Sequence, residues 1–464
     1  MDMLLFSLNR DTNMPLYEQL YEGIKDAIIH QKIAVGEKLP SKRKLSDFLN
    51  ISQTTIELAY AQLLAEGYIV SKPRVGYFVE DIDELPFIEK TINSTPNIHK
   101  KQTYAVDFSP GKIDEDSFPF TIWRKYAKEL IDSHSKELLQ IGDRQGEYEL
   151  RTQIASYLYQ SRGINCSAEQ IVIGSGTEQL MPLILRLFDD ANIALENPGY
   201  SAIPRNQFEQ AVIPVDVDSD GLLVDQLEKT EANLVYITPS HQFPTGAVLS
   251  ASRRAQLLKW AAQKLSRYII EDDYDSEFRY IGKPIPALHS LDQNDKVIYI
   301  STFTKSLMPS LRVAYFVLPP ALLARYNEIF SYYSATVPRF DQHILAHFMK
   351  EGHFSKHLNR MRKIYRKKHD KLLSILTKHY PTIQVSGDVA GMHVLIQVPH
   401  DKEEHELQQM AKENDISILP ISNYLLTAIQ FESPTFLLGF GGIPIEKIEV
   451  YIDALMAAWG ISKH

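Results

Sequence analysis

A single cysteine, Cys166, in 464 residues excludes an internal disulfide framework and any multi-cysteine zinc or iron–sulfur site. No stretch approaches the roughly 18 consecutive apolar residues of a membrane span. The opening MDMLLFSLNRDTNM carries a short apolar run, but Asp2 and no basic stretch precede it. It therefore does not read as a secretory signal, and a cytoplasmic protein is expected. Positive charge is also scarce: Lys+Arg 49 against Asp+Glu 58 gives −9, so the chain as a whole is not composed like a nucleic-acid binder. A net charge can still hide a small basic face. There is no repeat of fixed period and no low-complexity tract.

What is present is ordinary for soluble globular protein, with 44% apolar and 23% charged residues. The length suggests roughly three domains, or two with one large, with ample core to need no staple. Three segments stand out. Residues 1–79 are dense in helical periodicity and close on a short strand pair. Residues 80–104 mix Pro, Asn, Ser and Thr behind an acidic cluster (Asp81, Asp83, Glu84) and read as a linker. Residues 105–464 alternate strand-like runs (Gln170–Ile173, Asn192–Leu195, Leu234–Ile237, Tyr268–Ile270, Val297–Ile300, Ala314–Leu318) with helical ones. That alternation predicts an α/β domain with a largely parallel sheet.

In the first segment, Pro15 stands near the start of a helix with an apolar face of Leu16, Leu20, Ile24 and Ile28. Ser41 is placed to cap a short helix carrying Leu45, Phe48 and Leu49. Ser52 is placed to cap a third helix with a stripe of Ile56, Ala59, Tyr60, Leu63 and Leu64. Gly67 ends it, and Tyr68–Val70 and Val75–Val79 pair around Ser71-Lys72-Pro73-Arg74. Short helix, tight turn, longer helix and hairpin is the winged helix-turn-helix order. Gln53, Thr54 and Thr55 open the third helix with small polar groups suited to base edges and phosphates. Residues 1–80 hold nine Lys/Arg (10, 25, 32, 38, 42, 43, 44, 72, 74) against ten Asp/Glu. Six of the nine (38, 42, 43, 44, 72, 74) fall on the would-be DNA face. The competing reading is a plain three-helix bundle with a solvated basic edge.

The run PLYEQLYEGI…GEKLPSKRKLSDFLNISQTTIELAYAQLLAEGYIVSKPRVGYFV resembles the GntR-type regulator head along nearly all its length. The resemblance implies binding to double-stranded operator DNA through Ser41, Arg43, Lys44, the helix start Ser52, Gln53, Thr54 and Thr55, and a wing carrying Lys72, Arg74, Gly76 and Tyr77.

In the large segment, STFTKSLMPSLR (301–312) follows a strand and sets Lys305 among small hydroxyl residues, with Arg312 seven positions on. A lone lysine there reads most simply as a surface loop residue. Its company changes that. IVIGSGTEQL puts Gly174-Ser175-Gly176-Thr177 between a strand and a helix, a turn whose N–H groups suit a phosphate, although most such turns are only turns. ENPGY (196–200), ITPSHQFPTG (237–246) and IIEDDYDSEF (269–278) are further strand exits bearing Tyr200, polar groups, and acid with tyrosine. In an open α/β sheet such exits converge on one crevice. Pyridoxal phosphate needs a lysine, an acid for its ring nitrogen, a flat partner and phosphate donors.

Order and spacing over roughly residues 105–464 resemble a fold-type I pyridoxal 5'-phosphate (PLP)-dependent aminotransferase. The resemblance implies that Lys305 is the Schiff-base lysine, Asp272 the ring-nitrogen partner, Tyr274 the partner of the ring hydroxyl and Tyr200 the stacking ring. It assigns the phosphate to Ser175, Gly176, Thr177, Thr302 and Arg312. His241 and Gln242 are taken to replace the Asn that usually precedes Pro-Thr-Gly, and Asp273 competes with Asp272. A winged helix-turn-helix head on an aminotransferase-like body resembles the MocR (GabR-like) regulators, which implies a head-to-tail homodimer sensing a small molecule. Aminotransferases of this fold clamp a substrate carboxylate with a late arginine. Here no arginine follows Arg366, and Leu437 in SPTFLLGFGG stands near the expected place. Three readings remain. The first is a regulator of vitamin B6 (PLP) synthesis or salvage genes whose effector is PLP. The second is a regulator that holds PLP and senses an amino acid or amine. The third is a working aminotransferase with a DNA-binding head. The absent arginine favours the first and disfavours productive turnover.

Overall fold

The computed structural model describes residues 8–10, 12, 14–81, 103–134, 136–200, 212–280, 282, 285–429 and 431–464. The chain divides into two compact units, Met1–Lys101 and Gln102–His464. Most of the segment read as a linker, 82–102, lies outside the described residues, with Asp83 and Glu84.

In the first unit, α1 (Leu16–Ile29) buries Leu20, Tyr21, Ile24, Ala27 and Ile28, a stripe at helical spacing. The Ser41 hydroxyl caps α2 (Lys42–Leu49) by accepting from the Lys44 N–H, and Asn50 ends it in the left-handed conformation. The Ser52 hydroxyl caps α3 (Gln53–Ala65) by accepting from the Thr55 N–H. Strands β1 (Ile69–Lys72) and β2 (Gly76–Val79) pair antiparallel, with Lys72 opposite Gly76. Lys38 bridges Phe78 on the other side of β2, so the wing has a third short rung. Two core expectations fail. Phe48 and Leu64 are each 40% exposed, because a short helix and the last turn of α3 have only one side against the bundle.

The second unit opens with β3 (Val106–Asp107), α4 (Phe120–His134) and α5 (Tyr148–Arg162). Then come β4 (Ile171–Gly174), α6 (Thr177–Leu185), β5 (Ile193–Asn197), β6 (Val212–Asp218), β7 (Gly221–Leu222), α7 (Val224–Leu227), β8 (Leu234–Ile237), α8 (Ala251–Ala262), β9 (Tyr268–Asp273), β10 (Val297–Thr302) and β11 (Ala314–Val317). Among the described residues, eight strands form one sheet in the order β4-β11-β10-β9-β8-β5-β6-β7. The steps from β10 to β6 are parallel; β11 and β7 run against their neighbours.

Successive residues of the central strands enter different cores. Ile270 and Ile298 pack in one cluster with α6, and Ile269 and Val297 pack in another with α8. Burial on both faces explains why these strands read as apolar runs rather than as alternation.

Helices α9 (Pro320–Ile329), α10 (Arg339–Lys350) and the 27-residue α11 (His353–His379) lead to a smaller lobe. Its elements are β12 (Gln384–Ser386), β13 (His393–Gln397), α12 (Glu404–Glu413), β14 (Ile416–Ser417), β15 (Leu419–Pro420), β16 (Thr435–Gly439) and α13 (Ile448–Ala458). Its sheet order is β12-β13-β16-β15, while β14 pairs with β3. No helix among the described residues is long and apolar enough to cross a membrane.

Candidate functional site

Strands β5, β8, β9 and β10 are parallel, and two antiparallel steps through β11 return β4 to the same direction. Their carboxyl ends therefore open on one side of the sheet. A cavity of about 300 Å³ lies there. Gly176 and Thr177 reach it after β4, Tyr200 after β5, Asp272 and Tyr274 from the end of β9, Thr302 and Lys305 from the end of β10, and Arg312 from just before β11.

Adjacent Asp272 and Asp273 face opposite sides of β9 because strand side chains alternate. Asp272 Oδ2 accepts from the Tyr236 hydroxyl at 2.5 Å, and Oδ1 is buried without a hydrogen-bond partner. Burial pushes this carboxyl up to about 7. Asp273 accepts from the Tyr299 hydroxyl at 2.6 Å and pairs with Arg162 at 2.7 Å, away from the cavity lining. Of the two competitors, only Asp272 meets the cavity.

Lys305 Nζ lies 4.8 Å from the Tyr274 ring centroid and makes no hydrogen bond or ion pair among the described residues. Burial lowers its proton affinity, against the opposing pull of Asp275 and Asp272. At the other end, Gly176 is the N-cap of α6 with φ +150°. A Cβ there would fall 2.7 Å from Arg312 Nη2, so glycine makes room for the guanidinium. The helix N-terminus, Thr177 and Arg312 thus converge on a place for an anion. Arg312 also pairs with exposed Glu178 at 3.3 Å.

Three expected residues are placed elsewhere. Ser175 is not in the lining; its N–H donates to Gln179 Oε1 at 3.1 Å. Gln242 is spent on its own loop and around the end of β5, donating to Glu196 and to the carbonyls of Pro198 and Phe243 and accepting from Thr245. His241 lies behind Tyr274, with Nδ1 3.0 Å from the phenol oxygen and 3.0 Å from Asp275 Oδ2. The residue directly before Pro244-Thr245-Gly246 is Phe243, and Phe243 is the one that lines the cavity. Counting back from Pro-Thr-Gly would have found it.

Tyr236, Thr238, Thr304 and Tyr424 also line the cavity and were missed. Tyr236 hides in the apolar run of β8, and Tyr424 comes from the small lobe with no local motif. Leu437 on β16 is fully buried in an apolar cluster with Phe243, Leu395 and Ile421, against which Tyr200, Tyr274 and Tyr424 pack. Leu437 itself is not in the cavity lining, and the place where an arginine clamp was looked for is buried hydrocarbon.

On the first unit, Gln53, Thr54, Arg43, Lys44, Lys72 and Arg74 are exposed. Arg43 and Lys44 form no ion pair among the described residues, whereas Lys42 is tied to Glu57 at 3.2 Å. The hydroxyls of Ser41 and Ser52 are occupied as helix caps. Arg74 sits at the hairpin tip with φ +64°. Gly76 passes close to Lys38, whose Cε would lie 3.0 Å from a Cβ at 76. Tyr77 packs edge-on against buried Tyr60, 5.1 Å between centroids, so it braces the wing.

A winged helix-turn-helix unit joined to an α/β unit with a lysine-bearing crevice defines a transcriptional regulator with an aminotransferase-type body. Comparison with known proteins agrees. Residues 16–79 match the bacterial regulatory proteins of the gntR family, and residues 105–454 match aminotransferase class I and II. The HTH-type transcriptional regulator YdeL of Bacillus subtilis is 43% identical, covering 99% of this chain and 100% of that one. The probable rhizopine catabolism regulatory protein MocR of Rhizobium meliloti is 29% identical over 97% of this chain and 95% of its own. The pyridoxine biosynthesis transcriptional regulator PdxR of Corynebacterium glutamicum is 30% identical over 85% of both chains. Among solved structures, a kynurenine aminotransferase of Pyrococcus horikoshii shares the fold with a TM-score of 0.68, at 24% identity over 80% of this chain and 96% of that one. The chain belongs to the MocR-like GntR regulators, which carry an aminotransferase class I and II domain.

Proposed function

We propose that residues 105–464 bind pyridoxal 5'-phosphate as an effector, and that residues 1–79 bind operator DNA in a manner set by its occupancy. The observation that carries the first part is one cavity holding a lysine without a hydrogen-bond or ion-pair partner among the described residues, a buried carboxylate oxygen without a hydrogen-bond partner, and an anion corner made by Gly176, Thr177 and Arg312. Each fits a separate part of the cofactor. Lys305 would bond its aldehyde, and Asp272 Oδ1 would take the ring N–H. Thr177, Thr302, Thr304 and Arg312 would hold the phosphate. Tyr200 would stack on the ring, and the Tyr274 phenol would meet the ring hydroxyl. When bound, the group supplies an aldehyde for an amine and a ring that withdraws electrons.

The chain's own residues favour sensing over turnover. An amino-acid carboxylate entering against Phe243 and Tyr424 would lose water without gaining a bidentate partner. A phosphate dianion with a lysine-bonded ring has the stronger hold. Moving a conformational population from 1:99 to 99:1 takes about 5.5 kcal/mol of preference between states. The name of PdxR, a pyridoxine biosynthesis regulator, supports vitamin B6 genes as the target.

The working form is a cytoplasmic homodimer, head-to-tail, with residues 80–104 as linker and the two heads on paired half-sites. On the DNA, Arg43, Lys44, Lys72 and Arg74 contact phosphates, and Gln53 and Thr54 read bases.

The test is operator footprinting with cofactor-free protein, PLP-loaded protein, and loaded protein plus a panel of amino acids and amines. A footprint that changes on loading alone supports the proposal. Identical free and loaded footprints, with a change on adding one amine, would replace it with amine sensing. Conversion of an amino acid to its keto acid at about 1 per second or faster would make it an enzyme.

A further inference from the structure

Behind Tyr274, on the side away from the cavity, lies a buried polar pair that the cofactor reading does not use. His241 and Asp275 side chains are 0% and 1% exposed. His241 Nδ1 lies 3.2 and 3.0 Å from the two oxygens of Asp275 and 3.0 Å from the Tyr274 hydroxyl. The bare backbone of Gly391 closes over them: a Cβ there, at φ +78°, would land 2.1 Å from His241 Cε1 and 2.7 Å from Asp275 Oδ2.

We infer that Asp275, held by His241, is the anion that sets the proton affinity of Lys305 and of the Tyr274 phenol, so that both are positioning residues for the group bound at Lys305. This rests on the reading of the cavity as the cofactor site.

Burial pushes the Asp275 carboxyl up, but His241 and Lys305 outweigh it and hold it below the ordinary carboxylate range. Asp275 is therefore ionised, and His241 Nδ1 carries a proton that it donates to it. A protonated Nδ1 cannot accept from Tyr274. The phenol proton is left to Asp275 or to a ligand oxygen in the cavity, and the position of Asp275 decides between them. The other groups facing this pair are few. Asp272 and Glu196 are each pushed by burial up to about 7. His393 on β13 is driven down to about 3 by burial, with His241 and Lys305 adding to the effect, and its Nε2 lies 3.1 Å from the Pro244 carbonyl. It is neutral and adds no charge. Among these groups Asp275 is the one carboxylate whose ionised form the surroundings favour.

The sign of each perturbation follows. Asp275→Asn removes an anion beside Lys305 and should lower its proton affinity, by about tenfold or one pH unit. His241→Ala removes the donor that holds Asp275 ionised, so burial returns that carboxyl toward its neutral acid and Lys305 should lose proton affinity in the same direction. His241→Asn restores an N–H donor and should return the value close to wild type. Loosened packing would instead admit water to Lys305 and raise its proton affinity in both variants.

Two arms keep the outcomes separate. In the first, PLP-loaded full-length protein is titrated with pH and its absorption followed. In the second, Lys305 of cofactor-free protein is acetylated across pH and its modification read by mass spectrometry. A fall in both Asp275→Asn and His241→Ala, with rescue by His241→Asn, supports the inference. A rise in either variant, or no shift, overturns it. Should His241→Ala not fold, the near-isosteric Asp275→Asn decides alone, and an unmoved Lys305 titration overturns the inference. If wild type never develops the absorption, the cofactor reading fails while the second arm still decides this one.

Discussion

Replacing Asp272 by asparagine should move two measurements in opposite directions. Burial raises this carboxyl from 3.8 to about 7 in the folded chain. A group raised on folding gives stability that is whole below its unfolded value and is lost as pH rises through the folded one, here between about 4 and 7. At pH 8 the ionised carboxylate then costs the fold up to ~4 kcal/mol, and at pH 5, where the folded group is protonated and the unfolded one is not, the cost is about 2 kcal/mol, at roughly 1.4 kcal/mol per pH unit. Asparagine keeps an oxygen for the Tyr236 hydroxyl and removes the charge. Cofactor-free Asp272→Asn should therefore be more stable than wild type, and more so at pH 8 than at pH 5. The same change deletes the anionic partner offered by the unbonded Oδ1. Hydrogen bonds to charged groups contribute about 1.5–3 kcal/mol, so affinity for PLP should drop roughly 10- to 100-fold. Urea unfolding of the cofactor-free protein at both pH values, and a PLP titration read by absorbance, check the two halves. A variant that is less stable at pH 8, or that binds PLP as well as wild type does, would refute the assignment.

Other perturbations test the remaining parts. Lys305→Ala should abolish the long-wavelength absorption of PLP-loaded protein; a persisting band would place the bond on another amine. Gly176→Ala forces a methyl to within 2.7 Å of Arg312 Nη2 at a φ that disfavours alanine, and should narrow the preference for PLP over unphosphorylated pyridoxal. An equal loss for both ligands would remove the anion corner. Glu196, Glu271 and Glu277 are each raised by burial to about 7, so stability of the cofactor-free protein should fall from pH 5 to pH 8 even in the Asp272→Asn background. A denaturation midpoint that is flat over that range would contradict the burial argument. In the head, Arg43→Ala should weaken binding on every operator alike, whereas Gln53 or Thr54 substitutions should shift base preference by about 1–3 kcal/mol. Gel-shift titrations at two salt concentrations separate these, and salt-independent binding would point away from phosphate contacts.

Much of the architecture was legible in the sequence because its signals are local. Ser41 and Ser52 precede their helices by the spacing a cap requires, and both hydroxyls make the capping bond. The strand runs were found because a sheet covered on both faces needs unbroken apolar segments. Lys305, Thr302 and Arg312 share one short loop around β10 and β11, so their company could be read directly. Leu437 stood out by its identity alone, as an apolar residue where the resemblance led one to look for arginine.

The assembled site was decided by the tertiary structure, since contact across strands and lobes leaves no trace in local order. The alternation of β9 turned Asp272 to the cavity and Asp273 to Arg162, a choice that two adjacent identical residues could not signal. Tyr236 met Asp272 only because β8 and β9 pair in one register. Phe243 took the place given to His241 and Gln242 because the loop folds Gln242 back onto its own backbone, and the small lobe brought Tyr424 to the opening. Sequence alone determined which elements form and which chemical groups they carry, because helix caps and apolar periods act over a few residues. Which of those groups face each other was fixed by sheet register and lobe packing, because those set the direction of every side chain at once.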